Sequence, residues 1–152
     1  MYWTNRNRAS FDKQYTEGFS LMMLFGMPIT VGLMATAHTI TPFFGQELAI
    51  SYLPLQVLSL AVFGVYVGTF FGHVVVAIGK QKAALFVYLA TAVVSIIGYL
   101  YAIPRYSYMG AAWMTVFSEC FTATLLALLI YRTTGISLPI KKTAMIAFST
   151  LC

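Results

Sequence analysis

Charge is what this sequence lacks. Asp, Glu, Lys and Arg together supply 9% of its 152 residues against 60% hydrophobic, where a water-soluble domain carries about 25% charged residues. That shortage, with a mean hydropathy of +0.82, excludes a globule whose surface is covered by polar side chains. Most of the surface must face lipid. Cysteine is nearly missing as well: Cys120 and Cys152 are the only two, too few for a disulfide framework or a thiolate zinc site. The four carboxylates, Asp12, Glu17, Glu47 and Glu119, are scattered along the chain. No paired acid/base set, metal-ligand spacing or phosphate-cradling glycine loop can be assembled from what remains. An enzyme is therefore not expected, and no metal or cofactor is implied.

What the chain does have is long apolar runs between small clusters of charge. A helix needs about 20 apolar residues to cross a bilayer. Four runs meet that length, at about 18–40, 52–78, 83–103 and 110–131. Residues 1–17 read as a polar segment on the cytoplasmic side. The stretch "TAMIAFSTLC", 143–152, reads as the start of a fifth helix cut off after about half a span. The expected fold is thus all-α, a polytopic helix bundle. Eight of the nine basic residues (Arg6, Arg8, Lys13, Lys80, Lys82, Arg132, Lys141 and Lys142) fall on one side of a four-span topology, leaving Arg105 on the other. Lys and Arg in short loops stay cytoplasmic, so both ends and the "GKQK" turn are expected inside. The formal charge of +5 is then a topology signal and says nothing for nucleic acid. Tyr101, Tyr106, Tyr108 and Trp113 surround Arg105 and suit an aromatic belt at the outer interface.

Inside the second run, "GVYVGTFFGH" places three glycines four residues apart. At about 100° per residue, Gly64, Gly68 and Gly72 share one narrow helical face, shaped for close approach of a neighbouring helix. Tyr66, Thr69 and His73 fall nearly opposite, with Tyr52 and Ser59. On the third run Tyr88, Thr91 and Ser95 cluster with Ala84, Gly98 and Tyr99; on the fourth, Thr115, Ser118, Glu119 and Thr122 share a face with Ala111. Each such stripe serves helix packing on its own. Three in succession suggest a polar cavity, for which Glu119, Thr115, Thr122, His73, Tyr66, Thr69, Tyr88, Thr91 and Ser95 are the candidates. Glu119 stands out because a carboxylate near mid-membrane depth is costly unless it is used. Pro28, near the middle of the first run, removes a backbone donor and is expected to kink its helix.

The order of these features resembles a family. "GMPITVGL" with Pro28, "ITPFFGQELAISYLPLQVLSL" with Phe44, Gly45, Pro54, Leu55, Leu58 and Leu60, the "GKQK" turn at Gly79, Lys80 and Lys82, and the outer turn with Ile103, Pro104, Gly110, Ala111 and Ala112 look like the C-terminal lobe of Wzx-type polysaccharide flippases. These form a branch of the multidrug/oligosaccharidyl-lipid/polysaccharide exporter superfamily. The resemblance covers roughly Leu24 to Glu119. It implies an all-helical protein of the cytoplasmic membrane that flips a lipid-linked diphosphate oligosaccharide, with membrane lipids as surroundings and a further N-terminal lobe as partner. In that family basic residues commonly hold the diphosphate in the cavity, whereas no Lys or Arg lies mid-membrane here. Other classes remain open: a cation-coupled multidrug antiporter, either of the multidrug and toxin extrusion branch or a small four-helix dimer, and a non-transporting membrane subunit.

Overall fold

A computed structural model describes residues 5–44 and 51–135. Gly45, Glu47, Lys141, Lys142 and the expected fifth helix at 143–152 lie outside the described residues. Those described form an all-α arrangement of three long helices. These are α1 (Asn5–Ile40), followed by a short 3-10 turn (Thr41–Phe44), α2 (Tyr52–Ala77) and α3 (Gln81–Thr134). All three are long and apolar enough to cross a membrane, and the chain reads as a membrane protein.

α1 begins well before the first apolar run. Its polar first turns are held by the apolar spacing of Phe11, Tyr15 and Phe19, one helical turn apart, rather than by charge. The Lys13–Glu17 pair at 3.8 Å is largely exposed, where such pairs contribute only a few tenths of a kcal/mol, roughly. Tyr15 and Phe19 instead pack on Phe70 of α2, with ring centroids 5.3 and 5.4 Å apart, and Phe19 stacks on Phe71. Pro28 lies inside α1 and helical backbone continues on both sides of it. α1 and α2 run antiparallel, as their contacts show in order: Gly18 against Phe70, Gly26 against Tyr66, Gln56 donating to the Met34 carbonyl, and the His38 ring edge-on to Tyr52.

The link from α2 to α3 is three residues long. Lys80 N–H donates to the Val75 carbonyl and Gly79 N–H to the Val76 carbonyl, the paired bonds of a helix stop that requires a left-handed residue. Gly79 supplies it, with φ +73°, at no steric cost.

α3 carries helical hydrogen bonding through both the third and fourth apolar runs, yet it is not one rod. A straight helix of 54 residues would be about 81 Å long. Ser107 breaks it with φ 50° and ψ −135°, three residues after Pro104, and the chain folds back. Tyr99 Oη lies 2.8 Å from Thr115 Oγ1, although sixteen residues of continuous helix would separate their backbones by about 24 Å. Residues 81–106 and 108–134 are therefore two arms of a hairpin. The first runs antiparallel to α2 and the second parallel to it.

The core lies at one end of the bundle, where α1 starts, α2 ends and the second arm ends. There Tyr15, Phe19, Phe70, Phe71, Val74, Val75, Ala84, Ala123, Leu126 and Ile130 form one cluster. Elsewhere the helices keep large apolar side chains outward, among them Phe25, Phe86, Ile96, Ile97 and Leu100. An apolar surface of this extent suits contact with lipid or with another apolar protein face rather than with water.

Candidate functional site

α2 sits between α1 and the α3 hairpin, and its two faces are built differently. Toward α1 it presents Tyr52, Tyr66 and Phe70, side chains that fill space. Toward α3 it presents Gly64 and Gly68, both buried, and Gly72. A side-chain carbon built on Gly64 would stand 2.8 Å from Glu119 Cβ; one on Gly68 would stand 4.0 Å from Glu119 Oε2, and one on Gly72 2.8 Å from the Tyr88 hydroxyl. The glycine stripe is thus a groove that receives polar side chains from both arms of α3. Glu119 comes from the second arm and Tyr88 from the first.

Glu119 is half-buried there, and its carboxylate takes no hydrogen bond or ion pair among the described residues. The hydroxyls beside it are already committed. Ser118 donates to the Thr115 carbonyl, Thr122 to the Ser118 carbonyl, and Thr115 to the Ala111 carbonyl, at 2.9, 2.8 and 3.0 Å. This back-bonding to the preceding turn is a usual resource of membrane helices for satisfying a hydroxyl. Because Thr115 spends its single proton on Ala111, Tyr99 must be the donor in the 2.8 Å contact between them. That bond ties the two arms together about one turn from Glu119. The five cations whose side chains are described, Lys13, Lys80, Lys82, Arg105 and Arg132, are exposed, and none of them forms an ion pair with the carboxylate.

The remaining candidates sit on the first arm of α3 and on α2. Thr91 is buried and donates to the Val87 carbonyl, and Ser95 is half-buried on the same arm. Tyr66 lies against Gly26 of α1, across α2 from Glu119. Thr69 and His73 are exposed on α2, and His73 Nδ1 lies 2.7 Å from the Thr69 carbonyl. A carbonyl only accepts, so Nδ1–H is the donor in this contact. Glu119 and Tyr88 thus meet the glycine side of α2, and Tyr66 meets α1. Sequence spacing had placed the glycines on one face; that Glu119 occupies that face is a tertiary fact with no local signature.

No protein-family model, curated protein or solved structure matches this chain.

Proposed function

We propose that this chain forms four membrane crossings of a transporter that moves a lipid-linked oligosaccharide across the cytoplasmic membrane, with α3 crossing twice and Glu119 as the polar element of the moving interface. The observation that carries this reading is the carboxylate of Glu119, unpaired among the described residues and seated over Gly64 and Gly68 between helices. A charge held in an apolar setting without a partner is a costly arrangement that purely structural helices avoid. Glycines beneath it let the second arm slide or tilt along α2 without steric locking. The resemblance of Leu24 to Glu119 to flippase C-terminal lobes supplies the substrate class, and the distribution of Lys and Arg supplies an orientation with both ends cytoplasmic.

A second reading is favoured by one specific observation. The site holds a carboxylate and no described basic residue, which suits a cationic cargo or coupling ion better than a diphosphate. In that case the activity is cation-coupled efflux of an organic cation.

Membrane vesicles from cells carrying the native locus separate the two. Relative to vesicles from a deletion strain, flippase activity predicts faster exposure of a fluorescent polyprenyl-diphosphate oligosaccharide to an external quencher, with Glu119→Gln slowing it. Efflux predicts gradient-driven accumulation of an organic cation with no effect on the lipid. If the deletion changes neither, the transport reading fails.

A further inference from the structure

The hairpin turn of α3 carries a group that the packing does not use. Arg105 is exposed, and its guanidinium lies 4.2 Å from the centre of the Tyr101 ring, with Nη1 donating to the Tyr101 hydroxyl. That contact holds the planar fork in place and leaves further N–H donors on an exposed side chain. It forms no ion pair among the described residues. Close to it along the chain, Tyr106, Tyr108 and Trp113 are 66%, 60% and 55% exposed. Exposed aromatics with polar tips settle at the headgroup level of a bilayer, and in that layer the abundant acceptor suited to a guanidinium fork is phosphate.

We propose that Arg105 and Tyr101 form a docking point for a lipid-borne phosphate, occupied by a resident anionic phospholipid of the leaflet that faces the hairpin turn. Tyr101 positions the guanidinium by stacking, the free N–H donors take the phosphate oxygens, and Trp113 and Tyr108 flank the glycerol region. Charge complementarity selects the occupant: one cation with no described carboxylate partner favours an anionic headgroup over a zwitterionic one. This assignment depends on the chain being in a membrane, and not on the cargo or on Glu119. It therefore stands or falls separately from the transport reading.

The test uses the whole chain with Trp3→Phe, which leaves Trp113 as the single indole of the two in the sequence. The protein is reconstituted in phosphatidylcholine vesicles containing brominated phosphatidylglycerol, and quenching of Trp113 reports the local lipid. The expected result is enrichment of the anionic lipid beside Trp113 of about fivefold over its bulk fraction, the effect of a single Arg near a surface. Arg105→Gln should abolish the enrichment, Arg105→Lys should retain part of it, and Glu47→Gln should leave it unchanged. Circular dichroism of each variant controls for folding. Quenching in proportion to the bulk fraction, or enrichment that survives Arg105→Gln, overturns the proposal. A rise in enrichment with Glu47→Gln means that Glu47 already occupies the fork and also overturns it. Displacement of the brominated lipid by a trace of polyprenyl diphosphate, with no displacement by an equal amount of unbrominated phosphatidylglycerol, would mean that the cargo rather than a resident lipid is bound there.

Discussion

The two faces of α2 solve opposite packing problems. Against α1 the helix fills space: Phe70 meets Tyr15 and Phe19, and Tyr66 covers Gly26. Against α3 it withdraws: Gly64, Gly68 and Gly72 leave a groove for Glu119 and Tyr88. In water the first face would provide most of the stability by removing apolar surface from solvent. In lipid that driving force between helices is absent, and both faces hold by contact and hydrogen bonding. The difference teaches that the glycine face is where a polar side chain can be held between helices, while the aromatic face packs α1 on α2.

The largest expected effect breaks the contrast outright. Gly64→Leu puts a branched side chain where Glu119 Cβ leaves no room, and unfolding in mixed micelles should show a loss at the upper end of the roughly 1–3 kcal/mol seen for overpacked interiors. Phe70→Ala attacks the other face. Because lipid replaces the transfer term, the cost is that of lost contacts alone, about 2 kcal/mol and below the about 3–5 kcal/mol typical of a soluble core. Equal losses from matched truncations in water-soluble and lipid settings would remove the distinction.

Smaller effects sharpen it. Ser107→Gly should stabilise the hairpin by about 1 kcal/mol, since φ 50° with ψ −135° is strained for any residue with a Cβ; a loss of stability would deny that backbone geometry. Thr115→Val removes the acceptor for Tyr99 and should cost about 0.6 kcal/mol, the mean for interhelical hydrogen bonds in membranes. Smallest is Thr30→Val. Among the described residues Thr30 Oγ1 is buried without a hydrogen-bond partner, unlike Thr91, Thr115 or Thr122, so an apolar isostere should be neutral or slightly stabilising. A clear loss there would reveal a partner for that hydroxyl.

Much of this was legible beforehand, and the reasons are physical. Bilayer thickness sets a length that apolar runs must reach, which exposes the helices to plain reading. The 3.6-residue period fixes which residues share a face, so the Gly64, Gly68 and Gly72 alignment followed from spacing. The extension of α1 back to Asn5 was hidden because its polar first turns carry no hydropathy signal; only the Phe11, Tyr15, Phe19 spacing hints at it. The Pro104 to Gly110 stretch marked a turn, but not that Ser107 would take the left-handed conformation. Least legible was the partner of the groove. Helical period puts Glu119 with Thr115 and Thr122, yet which neighbour that face meets depends on how the hairpin docks, and no local rule encodes docking.

A double-mutant cycle between Gly64 and Glu119 tests the central contact most directly. Gly64→Ala, Glu119→Gly and the double variant are unfolded under the same conditions, and the helix penalty of the new glycine cancels in the cycle. With a carbon on Gly64 only 2.8 Å from Glu119 Cβ, Gly64→Ala should be clearly destabilising in the parent and much less so when residue 119 has no Cβ. The coupling should be about 1 kcal/mol or more, within the range for residues in contact. Additive losses, with coupling indistinguishable from zero, would mean that Glu119 does not lie on the glycine stripe of α2, and the account built on that contact would be wrong.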